Sequence, residues 1–250
     1  MSSGAFSVTN FKDYVEDLRK NFVELDHKVR ARRISSQIEL LTKYEGLKVI
    51  PDSNLIEEVS GLVEWPMALM GEIEDSFLDL PSEILQTVMK THQKYFSVED
   101  QNTNKIVKYI TVANIVAKDG GKKIIEGNNR VLNSRLADAK FFWEMDKERI
   151  EKNGFESFAE GLNSVTFFRG LGTQADRVHR IKLIGKLINK KLYKLPEREI
   201  ELAAKVCKAD LVSSTVKEFP ELQGLLGRYF SEISGLPNSV GWACKEHYGP

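Results

Sequence analysis

The apolar positions of this chain change period along its length. Between Asn10 and Phe22, residues Phe11, Tyr14, Val15 and Leu18 recur at helical spacing behind a Thr-Asn pair able to cap a first turn, which predicts a helix. Phe22-Val23-Glu24-Leu25 predicts a short strand. A second helix is expected from Asp26 through Leu41 to Tyr44, with Val29, Ile34, Ile38 and Leu41 toward the core and Gly46 as its stop. Pro51-Asp52-Ser53 opens a third, capped by Ser53, built on Ile56, Val59 and Leu62 and stopped by Pro66. Met67 to Ile73 reads as a buried strand, and Pro81-Ser82 begins a helix on Ile84, Leu85, Val88 and Met89. Lys94 to Val98 and Ile106 to Val116, joined by a polar turn, predict an antiparallel hairpin.

After Gly120-Gly121 the period is helical: through Ile124-Ile125, again from Val131 to Ile150, then around 156–168, 175–192, 196–217 and 221–233. No strand is expected beyond Phe155. The chain therefore reads as α+β: an N-terminal mixed α/β domain with a small antiparallel sheet over 1–152, followed by an all-helical domain over 153–250. With 42% hydrophobic and 29% charged residues it has the composition of a folded globular protein. No run approaches the roughly 18 apolar residues of a membrane span. The opening Met-Ser-Ser-Gly-Ala-Phe-Ser lacks the pattern of a secretory signal, so a cytoplasmic location and no membrane partner are expected.

Charge changes the picture locally rather than globally. Basic and acidic residues balance at 36 each, so any affinity for nucleic acid must come from clusters. The helix from Thr173 to Lys194 carries Arg177, Arg180, Lys182, Lys186, Lys190, Lys191 and Lys194 against Asp176 alone. Lys182, Lys186 and Lys190 share one face, while Val178, Ile181, Ile184 and Leu187 or Ile188 are expected to bury the other. Such a ridge either follows a phosphate backbone or is a solvated face. Arg30, Arg32 and Arg33 form a second cluster, whose guanidinium forks suit phosphate oxygens.

Candidate chemistry is sparse. His27, His92, His179 and His247 stand apart without metal or triad spacing, and Gly120-Gly121-Lys122-Lys123 fits neither phosphate-loop pattern, so no catalytic or metal-ligating residue is expected. Cys207 and Cys244 read as packed thiols. Asp210, beside Ile200, Ala203, Ala204, Cys207 and Leu211, is expected near the core and so in need of a partner. Arg130 and Arg135 are candidate internal clamps for Asp138 or Asp146.

Five runs carry a resemblance. Leu62-Val63-Glu64-Trp65-Pro66, Thr91-His92-Gln93-Lys94-Tyr95-Phe96, Gly127-Asn128-Asn129-Arg130-Val131-Leu132 with Arg135-Leu136-Ala137-Asp138-Ala139 and Phe141-Phe142, Lys208-Ala209-Asp210-Leu211-Val212, and Glu218-Phe219-Pro220-Glu221-Leu222-Gln223-Gly224 resemble, in order and spacing, the β subunit of the bacterial-type glycyl-tRNA synthetase. The resemblance implies an internal fragment of a ligase. Its α subunit would hold the site for glycine, ATP and Mg, and β would supply tRNA-binding domains and need no cofactor in this part. The partners implied are glycine tRNA and the α subunit. It also implies that the second half begins a truncated HD-like domain in which Ala209 replaces the metal-binding His. On this reading the chain is a non-catalytic, tRNA-handling part, with an HD-type metal-dependent phosphohydrolase or a protein-interaction scaffold as alternatives. Arg177, Arg180, Lys182, Lys186 and Lys190, then Arg30, Arg32 and Arg33, are the expected phosphate contacts from charge and spacing.

Overall fold

The computed structural model describes residues 7–43 and 45–249. Tyr44, the expected end of the second helix, and the opening residues that bear on a signal sequence lie outside the described residues. By packing the chain divides into two compact units, 1–137 and 138–250. The division falls inside a helix, upstream of the 152/153 boundary that the sequence suggests.

In the first unit, α1 (Phe11–Lys20) is capped by Asn10 and α2 (His27–Thr42) by Asp26. No strand joins them. Phe22 adopts a left-handed φ of 61°, incompatible with an extended run, and its ring meets the Trp65 indole edge-on at 5.4 Å. Strand β1 (Leu47–Val49), absent from the sequence reading, precedes α3 (Ser53–Leu62). The cap of α3 is Asp52 rather than Ser53, because the Asp52 carboxylate accepts from the Leu55 amide at 2.9 Å. Leu55 and Val59 of α3 are buried, Ile56 packs half-buried against the same core, and Leu62 is exposed.

Strand β2 (Met67–Glu72), helix α4 (Ser82–Gln93), β3 (Phe96–Asp100) and β4 (Ile106–Ala113) follow. The sheet is antiparallel with order β1-β3-β4-β2, pairing Val49 with Val98, Phe96 with Ile110 and Met70 with Ile110 across its centre. Strand β2 is thus a half-buried edge, not a buried strand. Ile34 and Ile38 of α2, Leu55 and Val59 of α3, and Leu47, Phe96, Val98 and Ile110 of the sheet share one core. Each such side chain contributes about 1.5–3 kcal/mol on burial. The Gln37 side chain of α2 accepts from the Ala68 amide at 2.6 Å and donates to the Pro66 carbonyl at 3.1 Å, bonding to the open edge of β2.

Where two helices are expected on either side of residues 126–130, one 32-residue helix, α5 (Lys122–Asn153), runs without interruption. Asn128 and Asn129 lie within it and accept hydrogen bonds from the hydroxyls of Tyr95 and Tyr109, whose rings stack at 4.6 Å. A Cβ at Gly71 would stand 2.3 Å from the Tyr109 ring, so only glycine admits that ring against β2.

The second unit is mostly helical but not wholly so. After a 3₁₀ segment (Phe155–Ser164), β5 (Thr166–Phe168) and β6 (Gly172–Thr173) form a small antiparallel ribbon around Gly170 and Gly172, both at positive φ. Helix α6 (Gln174–Ile188) continues as a π turn (Asn189–Tyr193) and is followed by α7 (Glu197–Val206). The expected 196–217 helix is broken after Cys207 by a 3₁₀ turn (Ala209–Val212) and resumes as α8 (Ser214–Glu218). Helices α9 (Leu225–Ile233) and α10 (Asn238–Glu246) complete the unit. Phe155, Phe158, Trp143 and Phe230 pack ring against ring at its centre.

Candidate functional site

The cations of α6 do not form the single ridge that their spacing suggests. A reciprocal box between Thr173 and Asp176 starts the helix. Lys182 and Lys186 then face α7, where Lys182 lies 3.3 Å from Glu201, Lys186 lies 2.8 Å from Glu197, and Lys186 also pairs with Glu201. These carboxylates raise the Lys186 pKa, and the two lysines lower that of Glu201. Arg177 lies over the Phe167 ring at 4.4 Å. Arg180, Lys190, Lys191 and Lys194 are exposed, and among the described residues no carboxylate stands within ion-pair reach of the three lysines. Of the apolar positions expected to be buried, Val178 and Ile181 are half-buried, but Ile184 is 57% exposed and Leu187 59%, with Leu183 and Ile188 beside them. The later turns of α6 thus bring Lys182 and Lys186 to α7 and leave their apolar stripe open.

The arginines of α2 differ in the same way. Arg30 donates to the carbonyls of Glu24, Leu25 and Ser60 at 2.6–2.9 Å, tying the start of α2 to the end of α3. The Arg33 guanidinium lies 4.1 Å from the centre of the Trp65 ring. Arg32 is exposed and, among the described residues, reaches only the Lys28 carbonyl, at 3.3 Å. Of the cluster, Arg32 is the residue most open to an external anion.

The buried acids are held by amides rather than arginines. Asp146 of α5 accepts from the Ser214 and Thr215 amides at 3.0 and 2.7 Å and from the Thr215 hydroxyl at 2.7 Å, capping α8. Asp138 and Arg130 are exposed on α5, and Arg135 is half-buried there. Asp210 is fully buried: one carboxylate oxygen accepts from the Gly224 amide, while the other has no hydrogen-bond partner among the described residues. Burial pushes its pKa up to about 6 against the opposing pull of that amide and of Lys208. Lys208 is buried as well, its ammonium 3.6 Å from the centre of the Tyr248 ring, and burial pushes its pKa down to about 8. Gly224 makes the approach possible, since at φ 79° a Cβ would stand 3.0 Å from the Cys244 carbonyl oxygen and 2.8 Å from Tyr248.

A His-Asp metal centre does not fit these residues. Ala209 offers no ligand atom, Asp210 faces a backbone amide, and among the described residues no three His, Cys, Asp or Glu side chains converge.

A family model described as glycyl-tRNA synthetase beta subunit matches residues 1–250. The chain belongs to that family. It is 50% identical to the glycine-tRNA ligase beta subunit of Ruegeria sp. and 47% identical to that of Cereibacter sphaeroides, each over the whole of this chain and 36% of the relative. A more distant relative of the same name, from Trichlorobacter lovleyi, is 37% identical over the same span. The chain thus spans about a third of the length of the curated relatives it matches. In this member of the glycyl-tRNA synthetase beta subunit family, four of the five signature runs meet in space as two packing pairs, and the fifth meets α2. Lys208-Ala209-Asp210 meets Gly224 through the Asp210 carboxylate, Tyr95 meets Asn128, and Trp65 receives Arg33. Sequence reading missed Glu197 and Glu201, although their four-residue spacing after Pro196 mirrors that of Lys182 and Lys186.

Proposed function

We propose that the chain is a non-catalytic, tRNA-handling part of a glycyl-tRNA synthetase beta subunit. It would support the ATP-dependent attachment of glycine to tRNA at a site held by the α subunit. The observation that carries this reading is the family match over residues 1–250, and the exposed cations of α6 and of the π turn that follows it give it a surface. Arg180, Lys190, Lys191 and Lys194 are the favoured phosphate contacts, since Lys182 and Lys186 are already paired. ATP and Mg belong to the α subunit in this reading, and no cofactor is assigned to the chain.

Fluorescence anisotropy with labelled glycine tRNA tests it. Affinity falls with salt and falls again, severalfold, in Lys190→Ala/Lys191→Ala/Lys194→Ala. The open apolar stripe of Leu183, Ile184, Leu187 and Ile188 supports a second reading, in which this surface docks protein and not RNA. Unchanged tRNA affinity in the triple variant would select that one.

A further inference from the structure

Helices α6 and α7 form an antiparallel hairpin with facing charges in register. Lys186 pairs with Glu197, and one turn further from the connection Lys182 pairs with Glu201. Successive pairs are therefore about 6 Å apart along the hairpin. Gly185 lets the helices close, because a Cβ there would stand 3.2 Å from Ile200. All four charges keep some access to solvent: the lysine side chains are 38% and 34% exposed, Glu201 37% and Glu197 68%. The carboxylates thus occupy, with the same charge and the same kind of acceptor oxygen, positions that RNA phosphates would take on Lys182 and Lys186. Exposed pairs of this kind are weak, so an incoming polyanion can exchange with them without disturbing the core.

We propose that Glu197 and Glu201 act as an internal competitor for RNA, neutralising Lys182 and Lys186 until a phosphate backbone displaces them. The inference rests on the tRNA-handling reading above. It makes the two glutamates determinants of RNA affinity although they would never touch the RNA. It also predicts an unusual sign: removing side chains from the binding surface tightens binding.

The test is an anisotropy titration of glycine tRNA against the full chain at several salt concentrations. The proteins compared are the parent, Glu197→Gln/Glu201→Gln, and a charge-matched control, Glu148→Gln/Glu156→Gln, which breaks comparable pairs with Lys152 and Lys205. The hairpin variant is expected to bind about three- to tenfold more tightly. Its salt dependence steepens by roughly one to two released counterions. The control stays near the parent, and the gain disappears when Lys182→Gln/Lys186→Gln is added. Glu201→Gln alone, which leaves Glu197 on Lys186, gives a smaller gain. Equal tightening in the control, or no tightening in a hairpin variant that melts like the parent, overturns the competitor while parental binding keeps the tRNA-handling reading. Absence of binding by every protein at low salt removes both.

Discussion

Asp210 is an acid placed where its charge is poorly solvated, with one oxygen on the Gly224 amide and the other unpartnered among the described residues. An acid whose pKa rises on folding holds its proton more tightly in the folded chain. Its contribution to stability is therefore complete below about pH 4, the ordinary carboxyl range, and is lost as pH rises through about 6. Asp210→Asn removes that titration. Melting temperatures of the two proteins should shift in favour of the variant between about pH 4 and pH 7, and parallel curves would show that Asp210 titrates as it does in the unfolded chain. The sequence placed Asp210 near the core from its apolar neighbours, but not the identity of its partner. That partner is a backbone amide 14 residues away, presented by a left-handed glycine, and neither spacing nor side-chain chemistry announces it.

At the scale of elements, faces were legible and their environments were not. Apolar spacing located α2, α4 and the β3-β4 hairpin, since in each the repeating residues go inward. On α6 the same rule holds in part for Val178 and Ile181 and fails for Ile184, Leu187 and Ile188, because a wheel divides a helix without saying which side a neighbour takes, and the glutamates of α7 took the lysines. The arginines of α2 illustrate the same point through hydrogen bonding. Arg30 satisfies three carbonyls that its removal would strand, so Arg30→Ala should cost about 1–3 kcal/mol in chemical denaturation. Arg32→Ala should stay within about 0.5 kcal/mol, as for a surface residue. Equal effects would mean that the Arg30 bonds contribute nothing net. Phe22 and α5 were misread for local reasons. A left-handed residue following a helix looks like a β-former when only its side chain is considered, and Gly127 and two asparagines resemble a break when the tyrosines that hold those asparagines are unseen.

At the scale of the whole molecule, balanced charge makes the distribution decisive. A protein with no net charge has no general attraction for a polyanion, so binding by this chain should release only the counterions displaced by its exposed cations. If Arg180, Lys190, Lys191 and Lys194 supply the contacts, the logarithm of the binding constant should fall against that of salt with a slope of roughly −3, at about 0.7–0.9 per phosphate. A slope near zero in the same titration would place the affinity elsewhere. The α+β class and the family were both legible at this scale, because class follows from the order of elements and family from five runs in fixed order. The division within α5 was not, since a continuous helix carries no compositional mark where packing changes.

The carboxamide of Gln37 also has a bearing on how the chain avoids its own copies. A sheet edge is a template, and β2 lies at an edge with the Pro66 carbonyl and the Ala68 amide turned outward. Gln37 supplies one acceptor and one donor in the pattern that an added strand would offer. In effect a single side chain impersonates a fifth strand at one end of the edge. Replacing it with an aliphatic residue would leave helix α2 in place and turn that end of the sheet into a seam along which two chains could zip together.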